Sequence, residues 1–132
     1  LGVAPAAEQF VSLPHWESSD ARAAAHDLVD SGIDFDGAFC MTDTIAIGFV
    51  RGLADRGLRV PDDVAVIGFD GIRECEDYIP SLSTVATDLN DLAAKAMRLL
   101  LDRLDEDGKG TPLPTRTLTA DFRLIAREST RR

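Results

Sequence analysis

The chain has 132 residues, is 45% apolar and 28% charged, and carries a formal net charge of −9. That is one domain's length on a prior of roughly 100–200 residues per domain, and the composition is globular, which excludes a disordered or fibrous chain. The acidic balance excludes a phosphate-backbone binder acting by itself, and no apolar run approaches the roughly 18 residues of a membrane span.

Leu1-Gly2-Val3-Ala4-Pro5 shows no initiator Met and no basic-then-apolar leader pattern. Gln9-Phe10-Val11-Ser12-Leu13 reads as a short strand ended by Pro14. Ser18, Ser19 and Asp20 offer N-caps for a helix to about Asp30. Its Ala21, Ala24, Ala25, Leu28 and Val29 recur at helical spacing, and Ser31-Gly32 closes it. Gly37-Ala38-Phe39-Cys40-Met41 is a buried strand by its apolar run. Thr42-Asp43-Thr44 caps a helix over 44–56 whose apolar residues, Ile45 to Ala54, sweep an arc of roughly 200°. Such an arc needs two neighbours: the sheet, and a second surface for which another subunit is a candidate.

Gly57 and Pro61 end that helix, and Val64-Ala65-Val66-Ile67-Gly68-Phe69 is the strongest strand in the chain. Residues 70–80 read as a polar loop with Cys75 exposed, whereas Cys40 reads as core. Thr84-Val85-Ala86-Thr87 is a further strand. Asp88 or Asn90 caps a helix over 90–104 with an apolar side of leucines and alanines. An acidic surface loop follows over 105–114, and 116–118 and 122–126 read as extended. The run Asp102, Asp105, Glu106, Asp107 reads as a solvated face, and His26 lies at the edge of its helix's apolar arc, in solvent.

Two cysteines and two histidines in these positions build no zinc pattern, no disulfide is needed, and a reducing, cytoplasmic setting without a metal or other cofactor is expected. Strands alternating with helices predict an α/β fold, a mostly parallel sheet flanked by helices. Ligands bind such sheets beyond the carboxyl ends of the strands. His15-Trp16, Thr42-Asp43, Asp70 and Thr87-Asp88 follow the four predicted strands, so polar groups and one aromatic ring gather at one rim. That combination suits a small polar ligand, carboxylates accepting from hydroxyls and a ring stacking on an apolar sugar face.

The segment Leu58-Arg59-Val60-Pro61-Asp62-Asp63-Val64-Ala65-Val66-Ile67-Gly68-Phe69-Asp70 resembles the signature of the lactose/galactose-repressor (LacI/GalR) family of bacterial transcription regulators. Residues 38–48 resemble its strand–(Asn-Asp)–helix segment, Pro80-Ser81-Leu82-Ser83-Thr84-Val85 its following loop and strand, and Arg127-Glu128-Ser129-Thr130 its closing Arg-x-Ser-Thr. The resemblance implies a periplasmic-binding-protein-like core of two lobes, of which this chain looks like the later part. Residues 1–88 and about 118–132 would belong to an incomplete C-terminal lobe, and about 89–117 would return toward the N-terminal lobe. By this resemblance the family's helix-turn-helix headpiece would lie outside these residues, and the implied contact with DNA would run only through it.

By the same resemblance the chain would sense a small-molecule effector, a sugar or related metabolite, and form a homodimer. Asp70 matches the family's hydroxyl-binding Asp, and Trp16 falls at its ligand-packing aromatic. Thr42 stands where the family usually has an Asn, and Thr87 borders the cleft; His15, by its place after the first predicted strand, is read as lining the pocket. Ile47, Val50 and Tyr78 fall in its dimer interface, and Asp43 caps its own helix. Two other classes stay open on the residues: the solute-binding receptor of a sugar transporter, and a small α/β enzyme pairing His15 with Asp43 or Asp70 for acid–base work. No nucleophile elbow, phosphate loop or metal cluster supports the last, so the chain is read as a non-enzyme.

Overall fold

A computed structural model describes residues 10–107 and 114–131. Chain order is α1 (Ser18–Ser31), β1 (Gly37–Phe39), α2 (Asp43–Asp55), β2 (Ala65–Asp70), α3 (Glu74–Asp77), β3 (Ser83–Thr87), α4 (Leu89–Asp107), β4 (Phe122–Ile125) and a 3₁₀ turn at Glu128–Thr130. One sheet runs β1-β2-β3-β4. The first two pairings are parallel and the last is antiparallel, giving the mostly parallel sheet that alternating strands and helices require.

The core forms where α2 meets β2 on one side and α1 on the other. Small residues set the α1–α2 distance. A Cβ added to Gly48 would strike the backbone of Ser18, and one on Gly52 would strike the Ala25 side chain and the Arg22 carbonyl. The wide apolar arc of α2 is therefore covered within the chain, by the sheet and by α1. The seam is tied at its far end by Asp55, which accepts from Arg22 Nε, from Arg51 and, at 3.0 Å, bonds His26 Nε2. His26 is thus half-buried in the seam instead of solvated, because Asp55 stands opposite it.

The closing Arg-Glu-Ser-Thr is structural. Ser129 Oγ donates to the Val66 carbonyl (2.7 Å) and accepts from Ser83 N (2.8 Å). Arg127 donates to the Leu82 carbonyl and to Glu76. One turn thereby fastens the end of the chain across β2 and β3.

Three local expectations change. Gln9 lies outside the described residues, and 10–13 form no strand. They line, with Ala38 and Phe39, a hollow of about 690 Å³ and pair with no strand of the sheet. Residues 116–118 form no strand either. Arg116 is drawn to Glu106 (2.5 Å) and Asp102 (3.9 Å) on α4, so those two acids are also paired. The loop after β2 contains α3, because Cys75 turns inward and is fully buried, its carbonyl accepting from Leu82 N.

The register puts Phe39, Ile67, Phe69, Val85, Leu124 and Phe122 on one sheet face, opposite the face that Val66 and Gly68 turn toward α2. Phe39, Leu124 and Phe122 are exposed there. The outward stripe of α4, including Leu92, Met97, Leu100 and Leu104, is likewise exposed. Among the described residues, no helix is long and apolar enough to cross a membrane.

Candidate ligand site at the strand ends

Parallel strands β1, β2 and β3 finish at the same rim, and the register aligns the residues just beyond them. Phe39 pairs with Ile67 and Asp70 with Ala86, so Thr87 lies one residue beyond Asp70 on the neighbouring strand. Thr42 stands at the N-cap of α2, where its hydroxyl accepts from Ile45 N at 3.2 Å. Thr42, Asp70 and Thr87 are thereby brought together at the carboxyl ends of adjacent elements.

Asp70 is exposed, and among the described residues its carboxylate has no hydrogen-bond partner. Its backbone φ is +114°, outside the regions an L-residue prefers, at a cost on the order of 1–3 kcal/mol. Its pKa is raised, first by desolvation against the sheet end and then by the Asp43 charge. An exposed, unpartnered carboxylate on a strained turn is available to accept from ligand hydroxyls.

The turn is held from two sides. Gly71 follows with φ +80°, and a Cβ there would strike Ala86. From the other side Asp43 Oδ2 accepts from Gly71 N at 2.7 Å and from Ile72 N at 2.9 Å. Asp43 therefore reaches across to the β2 turn; Thr42 caps α2. Asp43 is 0% exposed, and its Oδ1 is buried without a partner among the described residues. Gly68 makes the room, since a Cβ there would collide with Asp43. The Cys75 thiol is pushed up to about 12 by burial first and the adjoining Asp43 second. Cys40 is pushed to about 12 by the same two causes, so neither thiol is a nucleophile at neutral pH.

Among the described residues, no hydrogen bond links Trp16 or His15 to Thr42, Asp70 or Thr87. Trp16 is 66% exposed and lines the 690 Å³ hollow with Phe10, Phe39 and Met41; none of Thr42, Asp70, Thr87 or His15 lines it. His15 is exposed, its backbone N–H donating to Asp20 at 3.1 Å. Ile47 and Tyr78 are half-buried and joined by Tyr78 Oη donating to the Ile47 carbonyl at 3.3 Å. Val50, only 5% exposed, packs in this chain's own core. Among the described residues no group of acids, histidines or cysteines is placed to hold a metal.

At the β3 edge of the rim the two chain crossings are clamped. Asp88 Oδ1 accepts from Asn90 N and Asp91 N at the start of α4, and Asp88 N donates to the Asp121 carbonyl. Asp91 Oδ2 accepts from Lys95 Nζ (2.6 Å) and Asp121 N (3.0 Å), and Lys95 also reaches the Thr119 carbonyl. An acid and a lysine four apart on a helix signal an intrahelical pair; nothing local signals that they also hold the returning segment.

An open, mostly parallel α/β sheet with polar groups at the carboxyl ends of its strands is an architecture that binds ligands at that rim. The model of the periplasmic binding protein-like domain family matches residues 2–130, and the chain belongs to that family. Within it the chain is an effector-binding domain of the LacI/GalR type. It is 32% identical over 112 residues, 85% of its length, to the ribose operon repressor of Halalkalibacterium halodurans. It superposes on a structure described as a transcriptional regulator of the LacI family from Sanguibacter keddieii, with TM-score 0.85, 35% identity and 96% of this chain covered. A LacI-family regulator from Arthrobacter sp. FB24, solved in complex with lactose, matches with TM-score 0.73 and 38% identity over 89% of this chain. The chain spans 33%, 47% and 42% of those three proteins' lengths respectively.

Proposed function

We propose that this chain is the sensing part of a transcription regulator and that it binds a sugar or related polar metabolite at the rim formed by Thr42, Asp70 and Thr87. The observation that carries the reading is Asp70: an exposed carboxylate without a partner, on a strained turn, at the carboxyl end of the central strand. Trp16, which lines the 690 Å³ hollow, and His15, exposed just before α1, are the further contacts this reading offers.

The same reading assigns residues 1–88 and about 118–132 to one lobe and about 89–117 to the approach to a second. The exposed leucine stripe of α4 supports it, since an apolar helix face of that width is normally covered. Ligand between two lobes would favour one relative closure, by as much as its affinity differs between the two arrangements. In a homodimer that closure would reset the geometry of two DNA-binding headpieces and so operator affinity. Ile47, Val50 and Tyr78 are the residues offered for the dimer contact, although Val50 is only 5% exposed in this chain. The charge of −9 suits a part that senses and leaves DNA contact to the headpiece.

Calorimetry on a polypeptide carrying both lobes, titrated with pentoses, hexoses and disaccharides including lactose, tests the proposal. At least one sugar is expected to bind, and Asp70→Ala is expected to weaken it about tenfold or more, as loss of a hydrogen bond to a charged group does. Equal affinity in the two proteins would remove Asp70 from the site, and no binding by any sugar would remove the ligand class.

A further inference from the structure

We propose that Asp43 is the positioning residue of this site: its carboxylate holds the turn after β2 so that Asp70 faces the ligand. The inference rests on the reading of Asp70 as a ligand contact. Its geometry stands independently of that reading.

Two successive backbone N–H groups, of Gly71 and Ile72, converge on the single oxygen Asp43 Oδ2 at 2.7 and 2.9 Å. Consecutive amides aimed at one point make an anion-binding concavity, and here the anion is a side chain of the same protein. The turn would not keep this shape unaided. Asp70 sits at φ +114° and Gly71 at +80°, and the Asp70 carboxylate contributes no hydrogen bond to fix it.

Packing alone does not account for an acid at position 43. Asp43 is fully buried and leaves Oδ1 without a partner, a cost that an apolar side chain of similar size would avoid. Position 68 is occupied by glycine, and any Cβ there would displace the carboxylate. Asp43 also follows Thr42 directly, and Thr42 is anchored as the α2 N-cap. One residue thus ties the end of β2 to the start of α2, fixing Asp70 relative to Thr42. Charge-assisted bonds to two amides make that tie stiff.

Amide exchange and carboxyl titration by NMR on the 132-residue chain test this. In Asp43→Ala, exchange at Gly71 and Ile72 is expected to accelerate about tenfold or more, while the core amide of Phe49 in α2 keeps its protection. Gly68→Ala should reproduce the effect with the acid still present, and Asp43→Asn, which keeps an acceptor oxygen, should restore much of the protection. Asp70 should titrate at lower pH in Asp43→Ala, as a neighbouring charge is lost and the turn opens to water. Unchanged protection of Gly71 and Ile72 in both Asp43→Ala and Gly68→Ala would overturn the proposal. So would acceleration matched at Phe49, which would make Asp43 a general stability residue. If Asp43→Ala does not fold, Asp43→Asn and Gly68→Ala decide: protection kept in the first and lost in the second is expected, and protection equal in both overturns the proposal. A ligand-binding failure of the Asp70 reading would leave these amide results intact, so the two failures are distinguishable.

Discussion

Two regions rich in apolar residues behave in opposite ways. From α1 to β3, leucines and valines point inward: Leu53, Val64, Val66 and Leu82 are buried, and glycines bring α1 and α2 into backbone contact. In α4 the leucines point outward. The groups joining that helix to the rest are polar: Lys95 to the Thr119 carbonyl, Arg116 to Glu106, Asp91 to Asp121 N. α4 forms because its sequence is rich in strong helix formers and Asp88 caps it. The first region is a folded core. The second is a helix whose apolar face stays exposed in this chain, which fits the proposed two-lobed reading.

The sharpest way to break this contrast is a pair of leucine truncations followed by chemical denaturation. Leu53→Ala, at a site with no exposure, should cost about 2–5 kcal/mol. Leu100→Ala, 53% exposed, should stay within about 0.5 kcal/mol in this chain. Equal losses would mean that α4 already packs. An intermediate effect is expected where the end of the chain is fastened. Ser129→Ala leaves Ser83 N and the Val66 carbonyl buried without that partner and should cost about 1–3 kcal/mol.

The smallest effect lies in the α1–α2 seam and is read by pH. The Arg22 hydrogen bond, with His26 and nearby charge adding, holds the Asp55 carboxyl at about 2 against an ordinary 3.8. A lowered carboxyl pKa stabilises the fold above the ordinary value and loses that contribution as pH falls through the folded one. Stability should therefore drop between about pH 4 and about pH 2, and Asp55→Asn should flatten that part of the acid-unfolding profile. A wild-type slope retained in the variant would place the acid sensitivity outside the seam.

Much of the fold was legible because periodicity and punctuation agree in this chain. Gly32 ends α1 in the left-handed conformation that its position predicts, and Thr42 caps α2. The run through Val66 and Phe69 makes the central strand. The phrase Val60-Pro61-Asp62-Asp63 also carried the resemblance, although its visible work is structural: Asp63 accepts from Arg59 N and from the Arg59 guanidinium. The site was legible only as a rim. Sequence order says which residues come after strands, and the strand-end rule selects Thr42-Asp43, Asp70 and Thr87-Asp88, along with His15-Trp16 after a first strand that does not form. It does not say that Asp43 leaves its own helix end for two amides 28 and 29 residues away. Cys75 looked exposed among acids for the same reason: a short helix can bury one residue of a polar loop, and no period is long enough there to announce it.

The sequence alone determined the class of fold, the helices and strands from α1 to β4 other than α3, and the rim at which polar groups follow the strands. These follow from local propensity, from hydrophobic period and from the rule that ligands meet parallel strands at their carboxyl ends. Only the tertiary structure decided which partner covers α2, where Cys75 and His26 lie, and what holds Asp70 in place. Those are contacts between residues distant in the chain, such as Gly52 with Ala25 or Asp43 with Gly71. They depend on how closely two backbones approach, a distance that no local pattern encodes.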